Sequence, residues 1–130
     1  MILLDTDIMI DILRKYTPAI SWLDELGAEI IGIPGLVAME LLQGCRNREE
    51  QKLVENILNS FSLYWPKQVD FTRAFNDFAT YHLSHHIGII DALIAETAIG
   101  LKVSLATFNR KHYAPLSTLI TMQPYIQNQT

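Results

Sequence analysis

Short apolar segments alternate along this chain with longer segments of helical spacing, and this alternation constrains the fold more than any other feature. Apolar runs of strand length lie at 2–4, 29–33, 61–65, 103–106 and 119–122. Helices are predicted at 7–15, 18–26, 36–43, 49–60, 69–84 and 89–100, and a loop at 107–117. Strands that alternate with helices are typical of an α/β domain with a mostly parallel sheet.

Length, cysteine content and hydropathy narrow the class of protein. With 130 residues and 49% hydrophobic residues, the chain can bury one core, so we expect a single domain over 1–130. Its single cysteine, Cys45, excludes an internal disulfide and favours a reducing, cytoplasmic compartment. No basic segment of a signal peptide begins the sequence, and no stretch approaches the ~20 apolar residues that span a bilayer. We therefore expect no membrane association.

The net charge of −4 argues against a generally basic, nucleic-acid-binding surface. Any polyanionic substrate would have to be held by local basic groups or by metal ions. The acidic balance also predicts affinity for a basic segment of a partner protein.

Three carboxylates lie at positions where the pattern predicts burial. Asp5 ends the first apolar strand, Glu40 shares a helical face with apolar residues, and Asp91 starts a helix on the face of Ile94 and Ala95. Burying a lone carboxylate is costly unless it is paired or binds a metal. Carboxylates without supporting His or Cys suit hard cations, so we predict that the three share Mg²⁺ or Mn²⁺.

Each of these acids also has an interpretation that needs no metal. Asp5 or Asp91 could cap a helix, and Glu40 could turn outward into solvent. Asp11 precedes Arg14 and Lys15 by three and four residues, which predicts pairing on a helix surface.

Two histidines at helical spacing, His82 and His86, suggest a second metal site only weakly, because no third ligand is evident. The aromatic residues Trp22, Trp65 and the stripe at 71–78 are interpreted as core or interface.

Four segments together resemble the PIN domain nucleases, and within them the VapC-type toxins of bacterial and archaeal toxin–antitoxin pairs. In chain order these segments are LLDTDIMIDIL, AMELLQG around Glu40, IIDALIAETA around Asp91, and LATFNRKHY near the C-terminus. Each motif is weak alone, but their order and spacing cover essentially the whole chain.

The resemblance implies a PIN-like, three-layer α/β/α fold and a Mg²⁺-dependent endoribonuclease, with Mn²⁺ as a substitute for Mg²⁺. It implies that Asp5, Glu40 and Asp91 bind the metal and act in catalysis, with Asp91 positioning the attacking water. It further implies an RNA substrate, a cognate antitoxin as partner and a homodimer. The helices of the first half are the expected dimer surface.

The last motif departs from the family pattern, since Asn109 stands where many members have aspartate. Asparagine keeps an acceptor oxygen but loses the charge. We therefore expect Asn109 to act in the site without favouring a second metal ion, so that one Mg²⁺ is held tightly and a second arrives with RNA.

Four neighbouring residues are candidates for supporting roles. Thr107 is expected to orient a ligand through its hydroxyl, and Thr6 to cap the following helix or contact the metal shell, with capping favoured. Arg110 and Lys111 either contact RNA phosphates or belong to a solvated loop.

Two other functions stay open. The Asp5-Thr6-Asp7 sequence also matches the nucleophile motif of haloacid-dehalogenase-like phosphatases, although Ala92 then stands where an acidic partner of Asp91 is needed and Glu40 has no role. Alternatively, Asn109 is the mark of a catalytically degenerate PIN domain that serves only as a binding module.

Overall fold

The structure, a computed structural model, describes residues 1–127 and contains a five-stranded sheet in which every neighbouring pair is parallel. The strands lie side by side in the order β3-β2-β1-β4-β5. Their bounds are β1 Ile2–Leu4, β2 Ile31–Pro34, β3 Ser62–Tyr64, β4 Ser104–Ala106 and β5 Thr121–Met122. The predicted α/β fold with a parallel sheet is confirmed.

Seven helices connect these strands within the described residues. They are α1 Thr6–Leu13, α2 Thr17–Leu26, α3 Gly35–Gln43, α4 Arg48–Leu58, α5 Gln68–His85, α6 Ile89–Leu101 and α7 Arg110–Tyr113. Local residues set the ends: Asp5 and Asn47 cap the N-termini of α1 and α4, and Gly27, with φ of 59°, ends α2.

The segment predicted as a loop, 107–117, contains one more element than expected. Helix α7 has four residues, RKHY, so it is too short to show an apolar repeat of helical period. The prediction of a loop without helix was therefore wrong at this place, which matters because α7 directly follows Asn109.

The core brings the carboxyl ends of three strands together at one edge of the sheet. Leu3 and Leu4 of β1 and Leu105 of β4 are fully buried, α1 packs against α3, and α5 packs against α6. Strand β1 lies between β2 and β4, so the chain adds β2 and β3 on one side of β1 and then crosses over to add β4 and β5 on the other side. Open α/β sheets bind ligands at such a point, outside the carboxyl ends of the strands.

The prediction that Asp11 pairs with cations on the surface of a helix was wrong. Its side chain is buried rather than paired on the surface with Arg14 or Lys15. The Tyr125 hydroxyl donates to Asp11 Oδ2 over 2.7 Å, and the Gln127 amide lies 3.4 Å from the same oxygen. Asp11 thus holds the segment after β5 against α1.

Several large apolar side chains are exposed, and the α5–α6 pair carries a group of them. Phe71, Phe75 and Ile89 are 49%, 73% and 61% exposed and line an apolar groove of about 520 Å³. Trp22 is buried as expected, whereas Trp65 is 54% exposed although it covers Gly35. Among the described residues, no helix is both long and apolar enough to cross a membrane.

Candidate functional site

An acidic cleft of about 230 Å³ lies where β1, β2 and β4 end. It is lined by Asp5, Thr6, Asp7, Ile10, Glu40, Asp91 and Asn109. The three predicted acids therefore line one cavity, together with Thr6 and Asn109 and with an acid, Asp7, that the prediction left outside the site.

Asp5 follows β1 directly and has both oxygens engaged. Its Oδ1 accepts the backbone N–H of Thr6 over 2.8 Å, which makes Asp5 the N-cap of α1. Its Oδ2 accepts the hydroxyls of Thr107 (2.8 Å) and Tyr113 (3.1 Å). The expectation that Thr6 caps this helix was wrong, since Thr6 is its first residue and Asp5 the cap.

Burial governs the protonation of this corner of the cleft. Desolvation and, after it, the neighbouring Asp7 carboxylate raise the pKa of Asp5 to about 6, although hydrogen bonds from Thr107, Thr6 and Tyr113 oppose the shift. Burial also raises the pKa of Asp7. Burial and the nearby Asp5 carboxylate raise the pKa of the Tyr113 hydroxyl, which therefore stays a proton donor. The cleft thus favours anything that neutralises negative charge.

Glu40 reaches the cleft from α3, which begins directly after β2. The Thr6 hydroxyl donates to Glu40 Oε1 over 2.7 Å, a bond that joins α1 to α3. Thr6 therefore positions an acidic side chain rather than capping a helix. Glu40 is half-buried, so the expectation that it turns fully outward does not hold.

Asp91 enters the cleft from the first turn of α6. Its Oδ2 accepts the backbone N–H of Gly88 over 3.1 Å, so it also stabilises the start of this helix. A carboxylate favours the positive end of a helix dipole, and Asp91 remains half-buried at the cleft. Asp91 therefore both stabilises the start of α6 and lines the cleft.

The β4–α7 connection supplies the neutral side of the cleft. The backbone N–H of Asn109 donates to Thr107 Oγ1 over 2.9 Å, and its side-chain nitrogen lies 3.1 Å from His112 Nδ1. Thr107 Oγ1 thus joins Asn109 to Asp5, since it donates to the carboxylate and accepts from the amide. Arg110 and Lys111 follow in α7, and both are exposed outside the cleft.

The donor chemistry of the cleft fits Mg²⁺, because all of its polar side chains offer oxygen and none is His or Cys. Their present placement does not enclose an ion: within residues 1–127, no three His, Cys, Asp or Glu side chains are grouped so that they could hold a metal. Within the described residues, His82 and His86 also belong to no such group. His82 stacks on Phe78, and His86 ends α5.

Sequence reasoning missed two residues that shape the cleft. Asp7 accepts the backbone N–H of Ile8 over 2.8 Å and that of Phe108 over 2.9 Å, so it fixes the residue before Asn109. Tyr113 was interpreted as part of a loop, yet it is 2% exposed and bonded to Asp5. Tyr113 belongs to the LATFNRKHY segment, which was the available signal. Nothing about a tyrosine at this position, however, indicates a hydrogen bond to Asp5.

The family model of the PIN domain matches residues 2–115. The chain belongs to the PIN domain family. A curated relative, Ribonuclease VapC10 from Mycobacterium tuberculosis, is 35% identical over 115 residues, which cover 87% of this chain and 86% of the relative. The predicted family is thereby confirmed, and the family replaces the phosphatase interpretation of the Asp5-Thr6-Asp7 sequence.

Solved structures show the same fold over nearly the full chain. VapBC2 from Rickettsia felis, bound to a DNA fragment from its promoter, matches with a TM-score of 0.78 and 25% identity, covering 94% of this chain and 98% of that one. VapBC-1 from nontypeable Haemophilus influenzae matches with a TM-score of 0.76 and 23% identity, covering 95% and 98%. At 23% identity, the comparison with VapBC-1 supports a shared fold and nothing further.

Proposed function

We propose that this chain is one PIN domain over 1–130 that acts as a Mg²⁺-dependent endoribonuclease, the toxin component of a type II toxin–antitoxin system. The observation that carries the proposal is the acidic cleft at the carboxyl ends of β1, β2 and β4. Membership of the PIN family and 35% identity to a protein named a ribonuclease support it.

In this proposal Asp5, Glu40 and Asp91 hold Mg²⁺, or Mn²⁺ in its place. The bound ion would neutralise the charge of the cleft and of an RNA phosphate and would activate water for hydrolysis. The acidic side chains would have to move closer together, because within residues 1–127 no three of them are grouped so that they could hold an ion.

The polar residues around these acids position them and the substrate. Thr107 holds Oδ2 of Asp5, and Thr6 holds Glu40, so both hydroxyls restrict where the carboxylates point. Asn109 offers a neutral acceptor to the substrate, and Asp91 orients the attacking water. Arg110 and Lys111 contact RNA phosphates beside the cleft, since their charges are the nearest positive ones along the chain to Asn109.

The proposed partners follow from the relatives and from charge. Proteins of this fold occur in VapBC and FitAB complexes, and we propose a cognate antitoxin whose basic segment meets the acidic cleft. We also propose a homodimer in the cytoplasm. The exposed apolar groove between α5 and α6 supports a dimer surface there rather than on the helices of the first half.

The decisive experiment compares purified wild type with Asp5→Asn on cellular RNA, with Mg²⁺, with Mn²⁺ and with EDTA. We expect cleavage only by the wild type and only with metal. Expression in bacteria should arrest growth with the wild type and not with Asp5→Ala. Absence of both cleavage and growth arrest would refute the toxin function.

A degenerate PIN domain that only binds partners is the second candidate, because Asn109 replaces a family aspartate. Metal titration separates the two functions. The nuclease should gain thermal stability with Mn²⁺ through linkage, and Asp5→Asn should lose that gain, whereas a binding module should show no Mn²⁺-dependent stabilisation.

A further inference from the structure

A second depression of about 450 Å³ is formed by α7 and the segment that follows it. Its lining includes Arg110, Lys111, Tyr113, Leu116, Ser117 and Thr121, and we call it the α7 groove. Its walls combine two cations, three hydroxyl-bearing side chains and the buried Leu116. Such a surface can take a ligand that has a negative group and a flat, partly apolar body.

The cations of the α7 groove are free to bind an anion. Arg110 and Lys111 are exposed, and neither forms a salt bridge or side-chain hydrogen bond within residues 1–127. By contrast, Arg73 is bound by Asp70 and Glu96, and Arg46 is paired with Glu50.

The α7 groove and the acidic cleft share the same short piece of backbone. Asn109 lines the cleft, and Arg110, the next residue, lines the groove. Tyr113 spans the two, because it lines the groove while its hydroxyl bonds to Asp5. A chain-like ligand with a phosphate in the cleft therefore meets the groove with its next units.

We propose that the α7 groove is a subsite for single-stranded RNA that flanks the cleaved bond. Arg110 and Lys111 each bind a neighbouring phosphate, Ser117 and Thr121 contact ribose or base edges, and Leu116 supplies the apolar floor. This inference rests on the proposed ribonuclease function and adds where the substrate strand runs. An acidic protein segment is the competing occupant. RNA is favoured because its scissile phosphate would occupy the acidic cleft, which shares the backbone of Asn109 and Arg110 with the groove.

The test measures binding rather than cleavage, so that its failure can be told from failure of the proposed function. The probe is a short fluorescein-labelled single-stranded RNA of mixed sequence, titrated with the full-length Asp5→Asn protein at several salt concentrations. In this background the double variant R110A/K111A is compared with R48A/K52A. The control removes two exposed cations from α4 that also lack salt bridges within the described residues.

We expect R110A/K111A to weaken RNA binding about tenfold or more, and R48A/K52A to change it less than about twofold. The dependence of log affinity on log salt should become shallower by about 1.4 for R110A/K111A, because each phosphate contact on a single strand contributes about 0.7. Equal losses in both variants, or no loss in either, would overturn the groove as an RNA subsite.

A second pair of variants tests the groove without removing a cation. Ser117→Glu places a negative charge in the lining, and Thr118→Glu places one on the exposed residue beside it. Only Ser117→Glu should weaken RNA binding several-fold. If R110A/K111A keeps full RNA affinity but loses antitoxin affinity, the groove belongs to a protein partner. If the wild type cleaves no RNA, the proposed function and this inference fail together.

Discussion

Replacing Asp5 with Asn should stabilise the metal-free protein while it abolishes activity. Burial raises the pKa of Asp5 from 3.8 to about 6. In an unfolded chain the carboxyl ionises near its ordinary pKa of 3.8. Between this pH and about 6, the folded state therefore holds the proton more tightly than the unfolded state does. Stability is therefore lost as pH rises from about 4 to about 6, and the loss is complete above that range.

The size of the effect follows from this shift. A shift of about two pKa units lowers the free energy of unfolding of the wild type by about 3 kcal/mol at pH 8 and by about 1.5 kcal/mol at pH 5. Asn keeps an oxygen for the N–H of Thr6, and its amide nitrogen can donate to the hydroxyl oxygens of Thr107 and Tyr113. The substitution therefore removes the buried charge without removing every bond.

Urea denaturation in EDTA, from pH 5 to pH 8, measures the free energy of unfolding of the wild type and of Asp5→Asn. Asp5→Asn should exceed the wild type in unfolding free energy, and its advantage should grow with pH. A variant that is less stable than the wild type at pH 8, or a difference that does not change with pH, would refute the argument. Added Mg²⁺ should stabilise the wild type alone, because a bound cation favours the ionised carboxylate.

Two further predictions concern packing away from the cleft. Tyr125→Phe removes the hydroxyl that donates to buried Asp11 over 2.7 Å, which should cost about 1.5–3 kcal/mol in thermal or urea unfolding; an unchanged midpoint would contradict the role of this bond. Gly100→Ala would place a Cβ 2.3 Å from Asp70 Oδ1 and should cost about 1–3 kcal/mol. Gly44→Ala is its control, since its nearest contact lies at 3.6 Å and little loss of stability is expected.

Local pattern was sufficient to predict most elements of the fold. The strand Ile2–Leu4 is an uninterrupted apolar run in the sequence, and the helix that follows begins at Thr6, capped by Asp5. In a parallel sheet, helices that start after strands bring their first residues to one edge. The order of elements alone could therefore predict that Asp5 and the start of α3 lie at one edge, and Glu40 follows in the second turn of α3.

Bonds between residues far apart in sequence could not be predicted in this way. Asp11 had two cations within one helical turn, so local pairing was the reasonable interpretation. The structure buries it instead under Tyr125, which is 114 positions away. Tyr113 lies 108 positions from Asp5, and nothing in its neighbours indicates a carboxylate partner. Such contacts depend on how the layers pack, which periodicity does not encode.

The cleft also gives a physical reason for asparagine at position 109. Four carboxylates already line it, because Asp7 joins Asp5, Glu40 and Asp91. The pKa values of Asp5 and Asp7 are both raised, mainly by burial, and Asp7 contributes to the shift of Asp5. An aspartate at 109 would add a fifth negative charge to this corner and make ionisation more costly still. Asn109 supplies an acceptor oxygen without that charge, while Asp7, through the N–H of Phe108, holds the backbone that carries it.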